Sequence, residues 1–289
     1  MSGPALHVLT AGPQALVTDH GRPGYAHLGV PPSGALDLPA LDLANRLVGN
    51  PRGAAGLELL FGGARVRARG TMTVAVTGAP APVRLDGRPV AAHAAVTVPD
   101  GGTLEIGGPV GGLRVYLGVA GGIAVEPALG SRSTDLLSSL GPAPVADEDV
   151  LPLGPPVGPV PASGPVPVSV PPPAIRVRVR LGPRDDWFAD PSAALTGPTW
   201  TVSATSNRIG LRLEGPAPAR HPERGTGELA SEGMVTGAVQ APPDGPPVVF
   251  LADHPTTGGY PVIGVVEHED LPLLAQAAPG TRVRFVPVH

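Results

Sequence analysis

Prolines and glycines punctuate this chain so densely that neither a long helix nor a long uninterrupted strand fits across most of it. Gly 41 and Pro 40 make up about a quarter of the 289 residues. Proline removes a backbone donor and glycine supplies positive φ, so each cluster of them ends an element. Such a fraction approaches that of low-complexity chains, yet 42% of the residues are hydrophobic and the runs between the breakers are patterned. The expected architecture is mainly β, with many short strands, turns between them and few short helices. With nine aromatic residues in all, the core must be built from Val, Leu, Ala and Ile.

In chain order, Leu6 to Val17 reads as an opening strand with a Gly-Pro turn. One helix is predicted over 38–48, where Leu36, Ala40, Leu43, Ala44, Leu47 and Val48 recur near helical spacing. Asp37 is its N-cap, Pro39 falls in its first turn and Gly49-Asn50-Pro51 stops it. From Gly56 to Ile106 the runs LELLF, RVRARG, TVAVTGA, VRLDGRPV and AAVTVPDGGTLEI predict a closed or sandwiched all-β domain. A proline-rich linker is expected at about 155–173. It separates an N-terminal domain, 1–160, from a C-terminal one, 174–289, which opens on the alternating strand IRVRVRL. Arg176, Arg178 and Arg180 on that strand read as a solvated face.

The two halves also echo one another. Val115-Tyr116-Leu117 with Gly130 matches Val249-Phe250-Leu251 with Gly264 at an offset of 134. Asp149-Val150 matches Arg282-Val283 at 133, and Thr73-Val74 matches Thr201-Val202 at 128. Matches in constant order at a nearly fixed offset point to two similarly folded β domains related by duplication.

Several functions are excluded by residues the chain lacks. Without cysteine there is no disulfide, thiolate nucleophile or cysteine metal site. All 20 cationic residues are arginine, so a phosphate-loop lysine, a Schiff base and a biotinyl-lysine are all ruled out. A formal charge of −4 gives no basic footprint for nucleic acid. No signal peptide or apolar span of membrane length is read, so a cytoplasmic protein is expected. His20 and His27 lie seven apart with no third ligand at a helical spacing, so no metal site is expected.

Candidate functional residues gather in three stretches. In Val17–Tyr25, Asp19 and Arg22 either pair across the turn or serve chemistry. In Gly130–Asp135, the hydroxyls around Arg132, Ser133 among them, form either an anion or carboxylate clasp or a helix N-cap. The third stretch, Gly227 to Gly264, carries Glu228, Ser231, Glu232 and Gln240 and then Thr256, Thr257, Gly258, Gly259 and Tyr260. Its Gly-Gly reads as a hairpin turn or as a loop offering hydroxyls and backbone N–H groups to a small polar ligand. Asn45 on the helix reads as a polar face residue or as a side chain capping a neighbouring loop.

The motifs DHGRPGYAHLGVPPSGALD, LANRLVGN, VYLGVAGGI with GSRST, GPRDDWF, SNRIGLRLEGP, ELASEGMVTGAVQAPPDGPPVVFLAD, TTGGYP and LAQAAPGTRVRF run essentially end to end in this order. Together they resemble the KipA-like family, whose members are also described as the C component of 5-oxoprolinase, or as biotin-dependent carboxyltransferase-like or allophanate hydrolase subunit 2-type proteins. The resemblance implies two cyclophilin-like β-barrel domains. It also implies a KipI-like B component of the enzyme as direct partner, an A component, and ATP-dependent hydrolysis of 5-oxo-L-proline to L-glutamate. Two other roles known in the family are carboxyl transfer from carboxybiotin to urea or a similar amide, and non-catalytic binding of a KipI-like kinase inhibitor. On the oxoprolinase reading, Arg22, Arg132 and Arg208 are candidate clamps. Asp19, Glu228 and Glu232, with Tyr260, are candidate catalytic groups. Asn45, Ser133, Ser231, Gln240, Thr256, Thr257, Gly258 and Gly259 are candidate substrate contacts. ATP is used by the complex, with its site open to a partner protein, and no biotin is attached to this chain. Thr18 and Arg184 stand where relatives commonly carry glutamine, which puts substrate choice in question.

Overall fold

The computed structural model describes residues 3–162, 164–224, 229–243 and 245–288; the candidate Glu228 lies outside them. The chain falls into two compact units, one comprising Met1–Arg22, Ser33–Asp135 and Ser139–Pro171, the other Pro23–Pro32, Leu136–Ser138 and Pro172–His289.

The first unit opens with β1 (Ala5–Thr10), β2 (Gln14–Thr18), α1 (Leu38–Leu47), β3 (Gly56–Leu60), β4 (Ala64–Arg69) and β5 (Met72–Gly78). It continues with β6 (Val83–Leu85), β7 (Arg88–Val90), β8 (Ala95–Val98), β9 (Thr103–Ile106), β10 (Arg114–Val119) and β11 (Val150–Pro152). These strands form two antiparallel sheets, in the orders β11-β1-β4-β9-β6-β7 and β2-β3-β10-β5-β8. The Gly-Pro turn after β1 therefore carries the chain from one sheet to the other instead of closing a hairpin. Strict alternation explains the packing: in ARVRAR, Ala64, Val66 and Ala68 are buried while the three arginines point out. Val8, Val66 and Ile106 of one sheet share a single core with Val17, Leu59, Val76 and Leu117 of the other.

The outer face of the second sheet is covered by α1. Asp37 Oδ1 caps the helix by accepting from Ala40 N at 3.1 Å, and Pro39 lies in the first turn, as the residue pattern predicts. Beneath the helix, a β-carbon at Gly118 would sit 2.9 Å from Ala44 Cβ. Only glycine lets helix and sheet approach this closely. The proline-rich stretch up to Pro171 belongs to this unit, where Val166 N donates to His93 O at 2.9 Å.

In the second unit the elements are β12 (Ala174–Leu181), α2 (Pro191–Thr196), β13 (Trp200–Val202), β14 (Gly210–Glu214), β15 (Glu232–Gly233) and β16 (Ala238–Gln240). They are followed by β17 (Val248–Phe250), β18 (Thr257–Gly258), β19 (Val262–Val266), α3 (Leu271–Ala275) and β20 (Arg282–Pro287). Seven of these strands close a barrel in the order β12-β19-β16-β17-β14-β13-β20. Closure is made by β12 and β20, the one parallel pair of the barrel, in register from Ala174↔Arg282 to Val179↔Pro287. Trp200 is fully buried in this unit and donates Nε1–H to Leu195 O of α2 at 3.2 Å. Of the arginines on β12, Arg178 forks onto Asp270 and Arg180 pairs with Glu267, so that face is paired as well as solvated. No helix among the described residues is long and apolar enough to cross a membrane.

Candidate functional site

In the first unit, the Gly21 loop and the Ser131–Ser133 turn converge on Asp19. Its buried carboxylate accepts from Gly21 N (2.7 Å), Ser131 Oγ (2.6 Å), Ser133 Oγ (2.7 Å) and Arg132 N (2.6 Å). Ser133 Oγ in turn accepts from Asp19 N at 2.8 Å. Four neutral donors on one carboxylate hold its charge without any cation. Arg22, 1% exposed, does not pair with it. Its guanidinium donates instead to two carbonyls, Nε to Ala128 O at 3.2 Å and Nη2 to Ser133 O. The ion pair expected from their spacing does not form, because the Ser131–Ser133 turn reaches Asp19 first. Nor does that turn begin a helix; its hydroxyls clasp a side chain of the protein itself. Arg132 directs Nε to Val125 O at 2.7 Å.

A buried polar network steadies the next segment. Glu58 on β3 accepts from Tyr116 Oη (2.7 Å) and Leu36 N (2.9 Å), and Tyr116 Oη accepts from Asp37 N (2.8 Å). Arg114 Nε lies 3.3 Å from Glu58. Burial, then the Glu58 charge, pushes the Tyr116 phenol well above its ordinary value, so it remains a donor. Glu58 could have been found in the sequence: an acid inside LELLF contradicts an otherwise buried strand. Asn45 is spent on structure, donating to Arg52 O (3.2 Å) and Ala54 O (2.8 Å) while its Oδ1 accepts from Asn50 (3.0 Å).

In the second unit, Thr257 and Gly258 do not make a hairpin turn. They form β18, pairing with β15 through Glu232↔Gly258 and Gly233↔Thr257. This ribbon gathers Ser231, Glu232, Thr256, Thr257, Gly258, Gly259 and Tyr260, with Ser231, Thr257 and Tyr260 exposed. Gln240, on β16, donates Nε2 to Tyr260 O at 3.1 Å and so ties the ribbon to the barrel. Glu232 receives Arg184 Nε at 3.0 Å and also its Nη2. That pairing lowers the carboxyl's pKa below the usual range, so Glu232 is ionised at neutral pH and is a poor proton donor. Arg208 and Asp253 form a fully buried fork, at 2.9 and 3.0 Å, and Asp253 Oδ2 also accepts weakly from Leu136 N at 3.4 Å. Beside it, His254 stacks on Phe250 with ring centroids 5.9 Å apart, and burial lowers its pKa.

The structure thus brings Asp19, Arg22, Arg132 and Ser133 together in one unit. In the other it brings Ser231, Glu232, Gln240 and the Thr256–Tyr260 loop together, with Arg208 close in the chain fold through Asp253 N→Arg208 O at 3.1 Å. The ribbon offers solvent-facing hydroxyls and an anchored carboxylate to a small polar molecule. No group of three or more His, Asp or Glu side chains among the described residues is arranged to hold a metal ion.

The family model described as carboxyltransferase domain, subdomain A and B, matches residues 28–287. The chain is 38% identical over 286 residues to the C component of 5-oxoprolinase from Escherichia coli (strain K12), covering 97% of this chain and 90% of that protein. Among solved structures, TTHA0988 superposes with a TM-score of 0.88 at 38% identity, over 98% of this chain and 56% of that one. The K. lactis urea amidolyase gives a TM-score of 0.91 at 30% identity, over 100% of this chain and 19% of that one. The chain therefore belongs to the carboxyltransferase-domain family that includes the 5-oxoprolinase C component, as its motifs indicate, and its fold is mainly β with few short helices, the second unit closing as a seven-stranded barrel and the first built from two sheets on one core. It spans little more than half the length of TTHA0988 and less than a fifth of the urea amidolyase.

Proposed function

We propose that this chain is the C component of a cytoplasmic, ATP-hydrolysing 5-oxoprolinase, working with an A component and a KipI-like B component. The observation that carries the reading is the 38% identity to the E. coli C component over 90% of that protein's length. In the reaction, water adds to the lactam carbonyl carbon and the ring C–N bond breaks, releasing the amine and carboxylate of glutamate. ATP would supply the activation by phosphorylating the amide oxygen before water adds, the phosphoryl group leaving as inorganic phosphate so that ADP, phosphate and glutamate are the products. With no lysine for a phosphate loop, the ATP site is assigned to a partner protein. Ser231, Thr256, Thr257 and Tyr260 orient the substrate through their hydroxyls. Glu232, paired with Arg184, acts as a hydrogen-bond acceptor and not as an acid, since the pairing lowers its pKa and weakens it as a base as well.

The test is co-purification with the A and B components, followed by 5-oxoproline-dependent ADP release. The wild-type complex is expected to turn over, and Tyr260→Phe, a change at a half-exposed side chain, to lower the rate by about tenfold or more at unchanged complex yield. A folded three-component complex without 5-oxoproline-dependent ADP release would overturn the reading.

The family description and the likeness to urea amidolyase favour a second reading, carboxyl transfer from carboxybiotin carried on another chain. Biotin-dependent carboxylation of urea by a complemented mixture would select it. If Thr257 or Tyr260 variants bind the B component normally and no turnover is found in any mixture, the chain is a KipA-like antagonist of a KipI-like inhibitor.

A further inference from the structure

We propose that Arg184 is a specificity-determining residue of the ribbon site, receiving the carboxylate of a small substrate whose amide group lies against Gln240. The proposal rests on the oxoprolinase reading for the identity of that substrate and adds a carboxylate subsite to it. A guanidinium presents two edges on which a carboxylate can fork, the side edge of Nε and Nη2 and the end edge of Nη1 and Nη2. Glu232 takes only the side edge: both its oxygens lie 3.0 Å from Nε, and Oε1 also accepts from Nη2. Nη1 has no acceptor among the described residues and is not sealed from solvent, and the Arg184 side chain is 38% exposed. The pair with Glu232 fixes the guanidinium plane, so a second carboxylate meets donors already oriented and little side-chain freedom is lost on binding.

Other arginines of the second unit are engaged away from the ribbon. Arg208 is 1% exposed and forks onto Asp253. Arg220 donates to Ala241 O at 2.7 Å and lies over the Phe188 ring, 4.9 Å from its centroid, while Arg224 pairs with Asp186 at 3.0 Å. Arg184 is the one paired with the ribbon itself.

Arg184 and Gln240 meet at one face of that ribbon. Gly182 N donates to Ile263 O at 2.9 Å and Arg184 N to Val262 O at 3.3 Å, so the segment after β12 runs beside the chain just past Tyr260. Glu232 stands directly opposite Gly258, and residues directly opposite share a face with β-carbons about 5 Å apart. A β-carbon at Gly258 would lie 2.7 Å from Gln240 Nε2. The Arg184–Glu232 pair and the Gln240 amide therefore flank the space that Gly258 leaves without a side chain. Gln240 is 8% exposed, and its Nε2 donates one hydrogen to Tyr260 O at 3.1 Å. A second N–H and Oε1 remain, one donor and one acceptor on a planar amide. A lactam carries the complementary C=O and N–H side by side. A lactam bearing a carboxylate answers both groups; urea, neutral and without a carboxylate, leaves the Arg184 end edge empty.

The test is equilibrium dialysis of 5-oxo-L-proline against the full chain and against its complex with the A and B components. Two competitors take the ligand apart: 2-pyrrolidinone keeps the lactam without the carboxylate, and cyclopentanecarboxylate keeps a ring carboxylate without the lactam. Wild type is expected to hold 5-oxo-L-proline about tenfold or more tighter than 2-pyrrolidinone. Arg184→Gln should erase that preference and the competition by cyclopentanecarboxylate, while leaving 2-pyrrolidinone binding unchanged. The proposal falls if neither chain nor complex binds 5-oxo-L-proline, if wild type holds the two lactams equally, or if Arg184→Gln weakens both alike, as loss of a merely structural residue would. Turnover is read separately, as 5-oxoproline-dependent ADP release. A preference that vanishes with Arg184 in a complex releasing no ADP upholds the subsite and overturns the oxoprolinase reading. ADP release with a KM unmoved by Arg184→Gln upholds that reading and overturns the subsite; a raised KM at little-changed kcat upholds both.

Discussion

At Gly258 an added β-carbon would lie 2.7 Å from Gln240 Nε2 and 3.3 Å from the Met234 side chain, while the backbone φ is not in the left-handed region. The glycine serves close approach, not a turn, and that reason is invisible in a string of letters where Gly-Gly most often means a turn. His254, a few residues earlier, yields a prediction of its own. Its pKa lies below the ordinary 6.5, first because of burial, and burial also lowers that of His93. The unfolded chain therefore binds more protons than the folded one as pH falls below about 6.5. Stability from these groups should be level towards pH 8 and should decline as pH falls through about 6.5, the unfolded-state value. Urea midpoints across that range check it, and His254→Gln should flatten part of the decline. An unchanged slope in the variant would remove His254 from the account. The same distinction between letters and space explains Asp19 and Arg22: three residues apart, they invite a pair, but serines more than a hundred positions away take the carboxylate.

At the scale of elements, α1 is the clearest case of local signal and tertiary fit acting together. Its cap, its proline and its apolar spacing are all local, and the helix forms where they predict. What it lies on is not local. Tyr116 on β10 is the post between Glu58 and the helix entrance, donating to one and accepting from Asp37 N of the other. Tyr116→Phe leaves both partners one hydrogen bond short inside the protein, so a loss of about 1–3 kcal/mol is expected. Equilibrium denaturation measures it; a variant as stable as wild type would mean that Glu58 and Asp37 find other partners. The β15–β18 ribbon shows the opposite balance. Each strand is two residues long, too short for any periodicity to announce it.

For the molecule as a whole, barrel closure rests on the last strand, because β20 bridges β12 and β13. A chain ending before Arg282 loses the parallel partner of β12 and leaves Trp200 uncovered. Both tryptophans, Trp187 and Trp200, lie in the second unit, so their emission reports that unit alone. The truncated chain should emit at longer wavelength without denaturant and should be cut faster by protease within 174–281. Native emission from it would show that the barrel closes without β20. The alternation in IRVRVRL and TRVRF marks both closing strands in the sequence. Their parallel pairing across about a hundred residues is marked nowhere, since strand partners are chosen by long-range packing.

By itself the sequence determined that this protein is mainly β with short elements, where its best helix starts and stops, that it carries no lysine or cysteine chemistry, and which family its motifs match. Those properties follow from residue type and near-neighbour spacing, which act within a turn or two of the backbone. Tertiary structure alone decided that Asp19 is held by serines and not by Arg22, and that Arg184 pairs with Glu232. It also decided that Gly258 belongs to a ribbon and that Arg22 is buried with a donor unspent. Each depends on which distant groups reach a buried charge first, and that competition is settled only when the sheets have packed.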